Sequence, residues 1–221
     1  MHDGKPFVPE ELYQRYLGSL LAGDRRLSRE SFEVWLNSDP DLRSLYENLV
    51  RRSLYEVGEL WETGRISVAV EHLATAITES LLNLTYPRLF ERPRLDKSAI
   101  VSCVANEYHQ IGGKMVADVF ELNSWRGYFL GANAPLRDLM SLVEEKRPDV
   151  VALSVAVAFN LDALLDVALK LRSAFPDLPI IVGGQALRWG GRERFENISG
   201  VRCLSSLGEL ELWIQGSHDH A

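Results

Sequence analysis

Up to about Phe90, apolar positions along the chain recur at helical spacing. Leu12, Tyr16 and Leu20 fall at i, i+4, i+8, and Leu42, Leu45 and Leu49 at i, i+3, i+7, the spacing that gathers side chains on one face of an α-helix. Turn residues interrupt the pattern at Gly23-Asp24, Asn37-Ser38-Asp39-Pro40 and Thr63-Gly64, dividing the segment into four helices of ordinary length with no strand-like run between them. This predicts a four-helix bundle over residues 8–90. Its fourth helix, about Ser67 to Leu84, carries Val70, Leu73, Ile77, Leu81 and Leu84 on one stripe, which is expected to pack against the other three helices.

The pattern changes after the charged, proline-punctuated run Glu91-Arg92-Pro93-Arg94-Leu95-Asp96-Lys97, read here as a linker over 91–97. Beyond it, short apolar runs near 98–105, 127–131, 149–154, 179–183 and 201–204 alternate with helical stretches. That rhythm predicts an α/β fold, a doubly wound parallel sheet of Rossmann-like type over residues 98–215, followed by a flexible tail at 216–221. Ligands of such sheets bind outside the carboxyl ends of the strands. Three elements fall at predicted strand ends: the run Glu107-Tyr108-His109-Gln110-Ile111-Gly112, then Ser154-Val155-Ala156, then Gly183-Gly184.

Composition narrows the function classes. A net charge of -7 and an isoelectric point near 5.3 argue against a broad nucleic-acid-binding face, because phosphate contact needs clustered Lys and Arg. Two cysteines, Cys103 and Cys203, form neither a disulfide framework nor a C-x-x-C metal motif, which suits a reducing cytoplasm. The first residues lack the apolar core of a signal peptide, and no 18-residue apolar run exists to span a membrane, so a soluble cytoplasmic protein is expected. Of five histidines, His2, His218 and His220 lie near the ends of the chain, which leaves His72 and His109 for ordered structure.

An imidazole on a strand-to-helix loop can serve as a metal ligand, as a general base or simply as a polar loop residue. The carboxylate two residues before His109 can accept a hydrogen bond from one ring nitrogen, fixing the tautomer and raising the basicity of the other. Spacing carries the reading further. Between Gly112 and Ser154 lie 41 residues, and between Ala156 and Gly183 lie 26. In this register residues 98–215 resemble the cobalamin-binding domain of corrinoid proteins, with its D/E-x-H-x-x-G, S-x-L and G-G elements. The resemblance implies base-off cobalamin with His109 on the lower face of cobalt, Glu107 and Ser154 as a relay behind it, and Gly183 and Gly184 admitting the nucleotide tail. Ala156 stands where the family has leucine. The turn Leu130-Gly131-Ala132-Asn133-Ala134-Pro135 is similar to the L-G-x-x-x-P of these domains.

In the helical half, Trp61, nine intervening residues and then Glu71-His72 form W-x9-E-H. Each alone would be ordinary core or helix edge. Ahead of a cobalamin domain they resemble the light-sensing module of CarH-type photoreceptors, as does the opening Tyr16-Leu17-Gly18-Ser19-Leu20-Leu21-Ala22-Gly23-Asp24-Arg25. The resemblance implies a helical bundle that caps the upper face of adenosylcobalamin, with Trp61, Glu71 and His72 around the adenosyl group, and light-driven Co–C cleavage that alters assembly. Two departures stand out. The bundle begins at about residue 8, without the DNA-binding domain of CarH-type regulators, so output through self-association or a protein partner is expected and direct nucleic-acid binding is not. Glu62 occupies the position where those regulators carry a histidine that ligates cobalt after illumination. The module also resembles photocobilins, which bind a bilin such as biliverdin beside cobalamin. Two rivals share the layout: a corrinoid methyl carrier of a methyltransferase system, whose D-x-H-D-I-G-K-N differs from the Glu107–Lys114 run here, and a cobalamin-binding antirepressor.

Overall fold

The structure is a computed structural model that describes residues 8–91 and 93–217; the histidines at 2, 218 and 220, and most of the expected tail, lie outside the described residues. The chain divides into two compact units, one ending at Arg88 and the other beginning at Leu89. Among the described residues no helix is long and apolar enough to cross a membrane.

The first unit is helical: α1 (Glu10–Leu21), α2 (Arg25–Asn37), α3 (Leu42–Leu45) running through a π-helical segment (Tyr46–Arg51) into α4 (Arg52–Glu62), α5 (Val68–Leu82) and the short α6 (Tyr86–Leu89). The expected breaks are where chain direction changes, and side chains start the helices that follow them. Asp24 caps α2 by accepting the Leu27 N–H at 2.9 Å, and Ser67 caps α5 by accepting that of Val70. Such caps satisfy backbone donors that the first turn leaves unpaired. The core holds Tyr13, Tyr16, Leu20, Phe32, Leu45, Tyr46 and Leu49, all fully buried. Tyr46 reaches Thr85 at 2.9 Å through its hydroxyl, which satisfies the one polar atom it takes inside.

The stripe expected on the fourth helix is only half buried. Ile77 and Leu81 are inside with Ala74, Thr78 and Leu82, but Leu73 is 52% and Val68 50% exposed. The buried face is rotated from the expected stripe, of which Val70 and Leu84 are only half-buried and Leu73 is exposed. Only the C-terminal half of α5 finds partners for it within this unit.

The second unit is a five-stranded parallel sheet in the order β2-β1-β3-β4-β5, formed by β1 (Ser98–Cys103), β2 (Arg126–Phe129), β3 (Val150–Ser154), β4 (Ile180–Gly183) and β5 (Val201–Cys203). The crossovers run through α7 (Ile111–Leu122), α8 (Leu136–Lys146) and α9 (Leu161–Ala174), and α10 (Leu207–Gly216) closes the chain. Helices cover parallel strands on both faces, which is why β1 and β3 read as continuous apolar runs. Ile100, Val151, Leu153 and Val182 pack with Leu164, Ala168 and Leu171 of α9, while Phe120 and Trp213 flank Trp125 with ring centroids 5.5 and 6.2 Å away. Strand order reverses between β1 and β3, opening a crevice above their carboxyl ends. The register sets Cys103 opposite Ser154 and Ser154 opposite Gly183, so three motifs far apart in sequence end side by side.

Phe32→Ala is expected to lower stability by about 3–5 kcal/mol, whereas Val34→Ala, at a site 54% exposed, should change it by less than about 0.5 kcal/mol. Urea unfolding followed by circular dichroism measures both.

Candidate functional site

The loop between β1 and α7 is held open by backbone geometry and cross-loop hydrogen bonds. Asn106 takes a left-handed φ of 65°, a conformation asparagine tolerates better than most residues. Its N–H donates to Asn133 Oδ1 at 2.8 Å, and the Asn133 N–H donates to the Glu107 carbonyl at 2.8 Å. The loop after β2 thereby clamps the loop after β1.

Glu107 is completely buried, yet every donor around it points at the carboxylate. Oε1 accepts the His109 N–H at 3.0 Å and engages the ring Nδ1 at 2.7 Å. Oε2 accepts the N–H groups of Ala156 at 2.9 Å and Val157 at 3.1 Å and the Asn160 side-chain amide at 3.1 Å. Burial favours the neutral acid, but the His109 ring, the N–H groups of His109 and Ala156 and the Asn160 amide outweigh it and hold the carboxyl down at about 2. An ionised carboxylate can only accept, so His109 Nδ1 is the donor and Nε2 is the basic nitrogen. The His109 side chain is 47% exposed. A buried anion thus presents a surface imidazole in one tautomer.

Ser154 ends β3 beside this network and is buried, but the hydrogen bonds on Glu107 pass it by and run to the turn at 156–160. Its Oγ lies 3.5 Å from where a Cβ on Gly112 would stand, an ordinary contact, so nothing inside the protein requires glycine at 112. Gly184 differs: at φ 121° a Cβ would sit 1.9 Å from the Val155 carbonyl oxygen. That glycine is demanded by the approach of two loops, whatever binds above them. A Cβ on Gly183 would stand 3.1 Å from the Leu204 carbonyl oxygen, a tight contact rather than a forbidden one, and Val155 donates its N–H to the Gly183 carbonyl at 3.0 Å. Ala156 contributes its N–H to Glu107.

In the helical unit Trp61 lies in the last turn of α4 and is 46% exposed. Glu71 Oε2 meets His72 Nδ1 at 2.5 Å and Oε1 accepts the Thr75 hydroxyl at 3.0 Å. His72 is 73% exposed. A second carboxylate-held imidazole therefore stands on this unit, which also exposes Trp61, Val68 and Leu73. Asn160 and Asn133 escaped sequence reasoning. Asn160 is the N-cap residue of α9, yet its side chain makes no cap bond, because it is spent on Glu107 and on the Asn106 carbonyl at 3.2 Å.

Among the described residues no group of three or more His, Cys, Asp or Glu side chains is placed to hold a bare metal ion. A single neutral imidazole fits a metal that brings its own ring of ligands and lacks an axial one. An open parallel sheet with a carboxylate-oriented histidine at its switch point defines a cofactor-binding protein of the doubly wound class. Two family models described as B12 binding domain match the chain, over residues 12–85 and 97–202. Together the two matches cover most of the chain and support a cobalamin-binding protein. It is 29% identical over 188 residues to the HTH-type transcriptional repressor CarH of Myxococcus xanthus, covering 84% of this chain and 61% of that protein. It is 33% identical over 155 residues to the repressor CarA of the same organism, covering 68% of this chain and 52% of that one. It thus spans less than two thirds of either relative. The structure of the monomethylamine corrinoid protein of Methanosarcina barkeri matches with a TM-score of 0.79 at 13% identity, over 94% of this chain and 99% of that one, a likeness of fold.

Because the Glu107 carboxyl sits below its ordinary 4.5 when folded, its contribution is fully present above that value and is lost as pH falls from there toward 2. Glu107→Gln puts an amide donor against existing donors and is expected to lower stability at neutral pH by about 1–3 kcal/mol. It should also flatten the fall in stability between about pH 5 and about pH 3. Denaturant titrations across that range read both effects; parallel profiles for the two proteins would contradict the ionised, hydrogen-bonded Glu107.

Proposed function

We propose that this chain is a light-responsive cobalamin sensor rather than an enzyme. In this reading adenosylcobalamin binds base-off on His109, and the helical unit offers Trp61, Glu71 and His72 to the adenosyl group. The observation that carries it is the exposed Trp61 with the Glu71–His72 pair, in a chain similar to the repressors CarH and CarA. When bound, adenosylcobalamin supplies a photolabile bond between cobalt and carbon. The residues do the rest. His109 would offer Nε2 to the metal while Glu107 holds the proton on Nδ1, fixing the tautomer and raising the basicity of Nε2. Trp61 offers a broad apolar face with little side-chain entropy to lose, which suits a purine or sugar ring. Glu71 fixes the orientation of His72 beside it.

Signalling then follows from differential contact. A ligand shifts a two-state element only by binding one state more tightly, so loss of the adenosyl group withdraws contacts from Trp61 and the exposed N-terminal half of α5. That surface becomes available to a second copy of the chain or to a protein partner. Glu62 offers a carboxylate where the related regulators place a histidine, so the light-state upper ligand here is a different group or His72. A bilin such as biliverdin bound beside cobalamin would extend the absorbed range, and the mass of extracted pigment reveals it.

Reconstitution with adenosylcobalamin in darkness should give a histidine-ligated spectrum that green light changes, together with the elution volume on a sizing column. A light-inert spectrum would favour a corrinoid methyl carrier. His109→Ala is expected to lose the histidine-ligated spectrum with the apo fold retained. Gly112→Ala should leave the apo fold unchanged or stabilise it by up to about 1 kcal/mol, yet weaken cobalamin binding at least about tenfold by filling the floor beside His109.

A further inference from the structure

Glutamate at 107 is one methylene longer than the aspartate that D-x-H-type loops use, and that length decides where its far oxygen goes. Oε2 lies in a nest of three donors: the Ala156 and Val157 N–H groups and the Asn160 amide. Both donors on Oε1 come from His109. The carboxylate is therefore gripped at one oxygen and aimed with the other. Of the three donors in the grip, only Asn160 is a side chain. It is 4% exposed, its Nδ2 spans Glu107 and the Asn106 carbonyl, and it forgoes the cap bond that an N-cap asparagine ordinarily makes.

We infer that Asn160, and not Ser154, is the positioning residue that ends the hydrogen-bonded relay behind His109. This rests on the reading of His109 as the lower ligand of cobalt. Asn160 touches neither metal nor substrate; it acts by holding Glu107, which holds the imidazole. Groups in this position typically change metal affinity by about 10–100-fold when removed. The same bonds also tie the β1 and β3 loops together, so the test must separate aim from mere adhesion.

The separating readout is the tautomer of His109 in the cofactor-free protein, read from ring nitrogen shifts in ¹⁵N-histidine-labelled material followed with rising pH until those shifts report the neutral ring. Wild type should show the proton on Nδ1. Asn160→Ala should show a mixture of tautomers, weaken adenosylcobalamin binding in the dark by about 10–100-fold and shift the histidine-ligated absorption band. Ser154→Ala should leave the tautomer unchanged and the affinity within about twofold. Should alanine loosen the turn, Asn160→Leu keeps the approximate size while removing both donors, and the same mixed tautomer is expected. A wild-type tautomer in both Asn160 variants, or a loss in Ser154→Ala equal to that in Asn160→Ala, would overturn the inference. Failure of the wild-type protein to bind cobalamin would sink the proposed function instead, and the tautomer measurement would still decide what Asn160 does.

Discussion

A carboxylate with no contact to solvent, satisfied by five hydrogen bonds, is the constraint on which the sheet unit's binding face depends. Burying an unpaired anion costs many kcal/mol, and only dense donation makes it tolerable. Glu107 meets that demand by recruiting the loop after β1 and the turn after β3, the two segments that border the strand-order reversal. The crevice is therefore braced by the same charge that orients its histidine. Stability and ligand geometry are coupled there, since any change that frees the carboxylate both loosens the loops and releases His109 Nδ1.

The helical unit repeats the device in a weaker form. Glu71 holds His72 by Nδ1, but on a solvent-facing helix where the pair is worth little to stability. The neighbouring apolar side chains are equally unspent: Trp61, Val68 and Leu73 are each about half exposed. A unit whose core is filled elsewhere by tyrosines, Phe32 and leucines gains nothing from this surface when folding alone. In the proposed reading, these exposed apolar groups and the Glu71–His72 pair form a face kept for contact.

Much of the fold was legible because each local signal agreed with its neighbours. Asp24 and Ser67 stood before helical periodicity and cap helices; apolar runs bounded by turn residues became β1 to β5. The motif at Glu107 and His109 was legible from spacing, since strand, loop and helix lengths leave a fixed register along the chain. Other features had no local signature. The exposure of Leu73 depends on what packs beside α5, which periodicity along one helix does not report. Asn160 lies 53 residues from the carboxylate it grips, and a lone asparagine before a helix reads as an ordinary cap. Gly184 looked like access for a nucleotide tail, whereas the Val155 carbonyl beneath it already forbids a side chain.

The proposed function turns on one bond, from the His109 imidazole to cobalt. Electron paramagnetic resonance of the protein loaded with cobalamin and brought to the cobalt(II) form measures it directly, because an axial nitrogen splits the cobalt lines by its own nuclear spin. With ¹⁵N-histidine-labelled protein, His109 ligation predicts that the triplet pattern of ordinary nitrogen becomes a doublet, and that the doublet disappears in His109→Ala. A triplet that survives histidine labelling would place the cofactor's own base on the metal and contradict the account.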